Sequence, residues 1–229
     1  MNTKKIKYCV IIPAFQAAES LPTLINQIQL IPISIKIIVV NDGSTDNTLD
    51  VLGKFSDIIV VNHQINLGKG VAIKSGIKKA KGLGFQYAIC IDSDLQHSPE
   101  SIPDFIKTQS EADVSLVLGV RQFSREIMPF HRILSNTITS FVVSIRIGKR
   151  VHDSQCGYRL IHISDIDIDQ FNENGFQFET ELLLKMIPAG VTFKEILIYT
   201  IYNKSKSSIN NVKDTLKFIN LFLRSYLWS

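Results

Sequence analysis

The sequence predicts an α/β chain built on an open, mostly parallel sheet with helices on both faces. Three observations predict it. Short β-branched apolar runs recur without polar alternation, as in strands buried on both sides. Longer amphipathic segments separate them, the alternation expected of a parallel sheet with crossover helices. Short clusters, three of them built on Asp, Asn or Gly, follow the first four runs, where an open α/β sheet places its ligands.

The first run, residues 8–12 (YCVII), follows basic residues and mimics the start of a targeting segment. It meets Pro13 at once and lacks a cleavage-site pattern, so it reads as a buried strand. Further strands are expected at residues 36–40, 58–61, 87–91 and 114–118, and helices at 19–29, 46–55, 70–81 and 99–108. Asp46 and Ser98 are candidate N-caps, and Pro99 suits a first helical position. After Gly119 the rhythm changes. A long amphipathic helix over 128–147 precedes a turn-rich loop (HDSQCGYR), a helix near 178–186 and a strand near 192–201. A polar loop (NKSKSSINN) then leads to a tail helix over 212–228.

At 229 residues, 45% of them hydrophobic and 20% charged, the chain suits one globular domain spanning 1–229. A net charge of +4 is too mild to point to nucleic acid, but it suits anionic ligands or an anionic membrane face. Cys9, Cys90 and Cys156 are scattered, without metal or disulfide spacing, and fit a reducing, cytoplasmic setting. No stretch approaches the roughly 18 apolar residues that span a bilayer.

The four polar clusters are Pro13-Ala14-Phe15-Gln16, Asn41-Asp42-Gly43-Ser44-Thr45-Asp46, Asn66-Leu67-Gly68-Lys69-Gly70 and Asp92-Ser93-Asp94-Leu95-Gln96-His97. Any one of them reads equally as a turn or a cap. In an extended segment, residues i and i+2 point the same way, so Asp92 and Asp94 can face one point. Their mutual repulsion is relieved by a hard cation, Mg²⁺ or Mn²⁺, with Gln96 adding a neutral oxygen. The plain alternative is an Asp turn leading into a cap at Ser98.

Together these strings resemble the successive signatures of glycosyltransferase family 2, and most of all its dolichyl-phosphate mannose synthase-like, polyprenyl-phosphate branch. Gly119-Val120-Arg121, Phe130-His131-Arg132 and the Asp153 to Arg159 string match as well, so the similarity covers nearly the whole chain. The resemblance implies a GT-A-type, Rossmann-like fold and an inverting, metal-dependent hexosyltransferase. Its donor would be a nucleotide-diphosphate sugar of UDP-glucose or GDP-mannose type. Pro13, Ala14, Phe15, Asp42, Gly43, Ser44, Lys69, Asp92 and Ser93 would serve the donor, with Asp42 touching base or ribose and Lys69 either shaping the base pocket or capping a turn. Asp92, Asp94 and Gln96 would hold the metal. Arg121 and Arg132 would receive an acceptor phosphate, and Asp153 would lie near the reacting centre. Asp153, Asp94 and Arg121 are thus the expected catalytic set. After its last core strand the branch usually carries an arginine and a Gly-x-Ser-Lys-like loop; here that arginine is missing, and Lys204 and Lys206 would supply the positive charge to the acceptor phosphate.

The implied acceptor is a polyprenyl phosphate, which places the chain peripherally on the cytoplasmic face of a membrane. Other readings are a saccharide or protein hydroxyl as acceptor, with Asp153 as base, and a nucleotide-sugar-binding subunit without turnover. Apolar residues including Phe130, Leu134, Ile138 and Phe141 make a stripe on the helix over 128–147, and Leu216, Ile219, Leu223 and Leu227 make one on the tail. Each suits an interfacial helix, or packing on the core or a partner, and the tail is also a candidate dock for a partner membrane protein.

Overall fold

The computed structural model describes residues 7–122, 130–201 and 211–228. The predicted strands form as β1 (Tyr8–Ala14), β2 (Lys36–Asp42), β3 (Ile58–His63), β4 (Tyr87–Cys90) and β5 (Leu116–Arg121). The first three run past their apolar cores, so Pro13, Ala14, Asn41 and Asp42 are strand residues rather than loop residues. Backbone pairing continues through the polar side chains: Ala14 stands opposite Asn41, and Asp42 opposite His63.

A strand absent from the sequence reading, β6 (Arg159–His162), lies between β4 and β5 and runs antiparallel to both. With β7 (Phe193–Ile198) parallel to β5 at the edge, the order is β3-β2-β1-β4-β6-β5-β7. The chain leaves β1 toward β2 and β3, then returns to place β4 on the other side of β1. That reversal opens a crevice at the carboxyl ends of β1 and β4, where ligands of open α/β sheets bind.

Helices cover both faces. Alternate strand residues Val10, Ile12 and Val39 pack with α1 (Leu21–Gln29) and α4 (Ile102–Ala112). Cys9, Ile11 and Ile38 pack on the opposite side, in the core that includes α3 (Lys69–Gly82), α5 (Phe130–Ile147), α6 (Phe178–Met186) and α7 (Asn211–Arg224). The helix expected over 46–55 shrinks to α2 (Thr48–Leu52), because Asp46 is drawn into the preceding loop, where its carboxylate accepts from the Thr48 and Ala18 amides. Ser98 does cap, accepting from the Glu100 amide at 3.3 Å, though it caps a 3-10 turn that leads into α4. Among the described residues, no helix is long and apolar enough to cross a membrane.

Candidate active site

The first two polar clusters lace together. Gln16, at φ 52°, accepts from the Thr45 and Asp46 amides at 3.0 Å, and its own amide donates to Ser44 Oγ at 2.9 Å. Ser44 is thus engaged by the loop of β1, and Phe15 is left exposed beside it. Gly43 sits at φ +67°, where an added Cβ would lie 2.2 Å from the Ile65 carbonyl carbon, so this turn rests directly on the loop after β3.

Asp42 is the last residue of β2. It is 2% exposed, and its carboxylate accepts from the Leu67 amide at 3.0 Å and the Gly68 amide at 2.8 Å. Its Oδ1 also lies 2.7 Å from His63 Nδ1. A carboxylate so committed to backbone amides holds the Asn66 to Gly70 loop in place.

That loop delivers Lys69 to the centre of the crevice. The ammonium lies 2.7 Å from Asp92 Oδ1, 2.9 Å from Oδ2 and 2.7 Å from Glu179 Oε1. Lys69 thus bridges two carboxylates. Burial alone would lower its pKa, but Asp92 and then Glu179 reverse this and hold it above the usual lysine range. Burial likewise opposes the charge on Asp92, and Lys69 overrides it, keeping that carboxyl below its ordinary value.

The Asp92/Asp94 pair is brought together by a turn, not by an extended segment. β4 ends at Cys90, Ser93 and Asp94 form the turn, and Leu95 takes φ 61°. Asp94 faces solvent at the rim and accepts from the Gln96 amide at 3.0 Å. Enclosure by the surrounding protein, then the charge of Asp92, push its carboxyl above the ordinary range. Gln96 is held by its carbonyl, which accepts from the Ile201 amide at 2.8 Å.

This donor set fits a hard divalent cation. Two carboxylates within electrostatic reach, one of them raised by the other, are relieved by positive charge between them. Among the described residues, no group of three His, Cys, Asp or Glu side chains could cage a metal. The remaining positions would fall to diphosphate oxygens and water, the usual arrangement for Mg²⁺.

Three side chains that the sequence reading assigned no role complete the crevice. Glu179, at the start of α6, holds the far side of Lys69. Arg159, fully buried, donates to the carbonyls of Cys156 at 2.6 Å, Ser154 at 2.7 Å and Glu179 at 2.5 Å, pinning the loop after α5 to α6. His97 is buried with Nδ1 unpartnered among the described residues, and burial pushes its pKa down to about 4. The one signal for Glu179 was an acid in the first turn of a helix, which reads as dipole compensation.

Asp153 and Arg121 meet in a fork: Nε to Oδ2 at 2.7 Å and Nη2 to Oδ1 at 2.8 Å. Asp153 is 0% exposed and the Arg121 side chain 15% exposed, so the pair is largely enclosed, with a small part of the cation at the surface. Next to it, the Ser154 amide donates to Ser140 Oγ on α5 at 2.9 Å. Arg132 lies two helical turns before Ser140 on the side of α5 that carries buried Asn136 and Val143. Lys204, Lys206, Met128 and the His131 side chain lie outside the described residues.

Residues 9–166 match the profile of the glycosyl transferase family 2, more than half of the chain. The chain belongs to that family. As a family 2 glycosyltransferase it uses a nucleotide sugar. An uncharacterized protein of Methanocaldococcus jannaschii is 28% identical over 230 residues, covering 92% of this chain and 98% of its own. The UDP-N-acetylglucosamine–dolichyl-phosphate N-acetylglucosaminyltransferase of Methanococcus voltae is 28% identical over 218 residues, covering 85% of this chain and 86% of its own. Among solved structures, glucosyl-3-phosphoglycerate synthase of Mycobacterium tuberculosis with Mn²⁺, UDP and phosphoglyceric acid superposes with a TM-score of 0.74 at 15% identity, covering 97% of this chain and 78% of that one. The same enzyme with Mn²⁺ and UDP-glucose gives a TM-score of 0.72, covering 96% and 79%. These similarities make the fold of this family 2 glycosyltransferase GT-A-like, with a seven-stranded mixed sheet.

Proposed function

We propose that this family 2 glycosyltransferase moves a hexose from a UDP- or GDP-sugar to a polyprenyl phosphate at the cytoplasmic face of a membrane, acting as one catalytic domain. The observation that carries the reading is the Arg121–Asp153 fork. Asp153 is fully buried with both oxygens on a guanidinium, a poor place for a base that must take a proton from a hydroxyl. A phosphate acceptor is already an anion and needs no such base. The exposed part of the Arg121 guanidinium would meet its oxygens, with Arg132 as second cation and Lys204 and Lys206 as further candidates.

In the reaction, an acceptor phosphate oxygen attacks the anomeric carbon, the bond from that carbon to the diphosphate oxygen breaks, and the configuration inverts. Mg²⁺ or Mn²⁺ bound at Asp92, Asp94 and Gln96 would neutralise charge on the departing diphosphate. Phe15, exposed just after β1, would stack on the base, with Pro13, Ala14, Gly43, Ser44 and Ser93 as the other donor-site residues.

The lipid half of the reading draws on two supports. The Methanococcus voltae relative bears a dolichyl-phosphate acceptor in its name. The outer face of α5 leaves Leu134, Ile138, Phe141 and Ile145 exposed, and across a groove of about 1020 Å³ stands Leu197, 79% exposed, on the edge strand β7. Lys149 and Arg150 also line that groove. An apolar face rimmed by cations matches an anionic bilayer surface. On the tail, Leu216, Ile219, Leu223 and Leu227 are also exposed, a second face for lipid or a partner membrane protein.

The test is transfer from radiolabelled UDP- and GDP-sugars to polyprenyl phosphate in detergent with Mn²⁺ or Mg²⁺. Label in the organic phase is expected. Label that remains aqueous while the protein binds the nucleotide would remove the lipid acceptor and leave the donor.

A further inference from the structure

We infer that Lys69 is a positioning residue that competes with the divalent cation for Asp92, and that Glu179 receives the ammonium when the cation binds. This rests on the donor-site reading above and adds to it how the site exchanges one cation for another.

Lys69 touches both oxygens of Asp92, at 2.7 and 2.9 Å, so the carboxylate expected to hold the metal is already charge-paired. A second cation on those oxygens would lie close to the ammonium and repel it. The ammonium cannot leave for water cheaply, because its side chain is largely buried and a buried charge needs a partner. One partner stands ready. Glu179 Oε1 is 2.7 Å away, and Glu179 Oε2 is buried with no hydrogen-bond partner among the described residues. Glu179 is held from behind by Arg159, which donates to its backbone carbonyl at 2.5 Å. Gly157 lies against the pair, where a Cβ would sit 2.8 Å from Lys69 Nζ and 3.0 Å from Asp92 Oδ2, so the absence of a side chain leaves the lysine room to turn. A short rotation of the lysine toward Glu179 therefore frees Asp92 without stranding a charge.

The sign of one measurement separates this from a merely structural lysine. If Lys69 only oriented Asp92 as a ligand, removing it would weaken the metal. If it competes, removing it strengthens the metal. Calorimetric titration with Mn²⁺ alone, without turnover, should show Lys69→Met binding about tenfold tighter than wild type, equivalent to about 1.4 kcal/mol. Glu179→Gln removes the receiving charge and should weaken Mn²⁺ by a similar factor. Circular dichroism reports folding; should Lys69→Met not fold, Lys69→Arg, whose fork grips Asp92 more firmly, is expected to weaken Mn²⁺. Binding that is unchanged or weaker in Lys69→Met, or unchanged in Glu179→Gln, would overturn the competition while leaving the metal site standing. No Mn²⁺ binding by the wild type even with UDP present would remove the metal reading itself.

Discussion

Gly157 lies against Asp92 so closely that an added Cβ would sit 3.0 Å from Oδ2 and 3.2 Å from Oδ1. The same atom would be 2.8 Å from Lys69 Nζ. Neither contact involves backbone, so the fold has room to give, but only by displacing the two charged groups. Gly157→Ala is expected to lower turnover about tenfold or more, because a shift of an ångström at a reacting site is costly. Its melting temperature should stay within a few degrees of wild type. A large loss of stability with normal turnover per folded molecule would show that Gly157 serves packing alone.

Asp42→Asn tests the opposite kind of residue. An amide can keep only one of the two backbone acceptor contacts and faces an N–H with an N–H at the other. The expected result is a loss of about 1–3 kcal/mol in denaturant unfolding, with the donor KM nearly unchanged in the folded enzyme. A raised donor KM without destabilisation would return Asp42 to the base or ribose.

The cysteines give a prediction with a definite pH direction. Burial pushes the thiols of Cys90 and Cys156 up to about 12. An acid whose pKa is raised by folding stays protonated while its unfolded form ionises, so stability is lost as pH rises from about 9 toward 12. At pH 8 a thiol reagent should label none of Cys9, Cys90 and Cys156 in the native protein, and all of them in denaturant. Fast native labelling would contradict the packing around β4 and the loop after α5.

Arg132→Ala should raise the acceptor KM by about 10- to 100-fold, the cost of one charged hydrogen-bond donor to phosphate, with the donor KM unchanged. Steady-state kinetics with each substrate varied in turn reads the split. An equal effect on both substrates would place Arg132 elsewhere than on the acceptor.

Much of the frame was legible in the sequence because it is written in local patterns. The buried runs of β1, β2 and β4 and the helix α6 declare themselves by composition and period. β6 did not, since four residues, Arg159–His162, carry no period of their own and are made a strand by the neighbours on either side. The site shows the same division. Asp92 and Asp94 are legible as a pair, although the turn at Ser93 and Asp94, rather than an extended chain, brings them together. Lys69 and Glu179 are 110 residues apart in sequence, and only the docking of α6 against the loop before α3 makes them partners. The hold of Asp42 on the Leu67 and Gly68 amides was not legible, because a strand-end aspartate has one sequence signature for two uses, ligand contact and backbone capture.

The most direct test of the central claim compares polyprenyl phosphate with the corresponding polyprenol, the same chain without its phosphate, as acceptors for labelled nucleotide sugar and Mn²⁺. With Asp153 locked to Arg121, the phosphate should be glycosylated and the alcohol should not, by a margin of at least about a hundredfold. Equal transfer to the alcohol, or transfer to saccharide hydroxyls alone, would contradict the account and require a base that the Arg121–Asp153 fork does not provide.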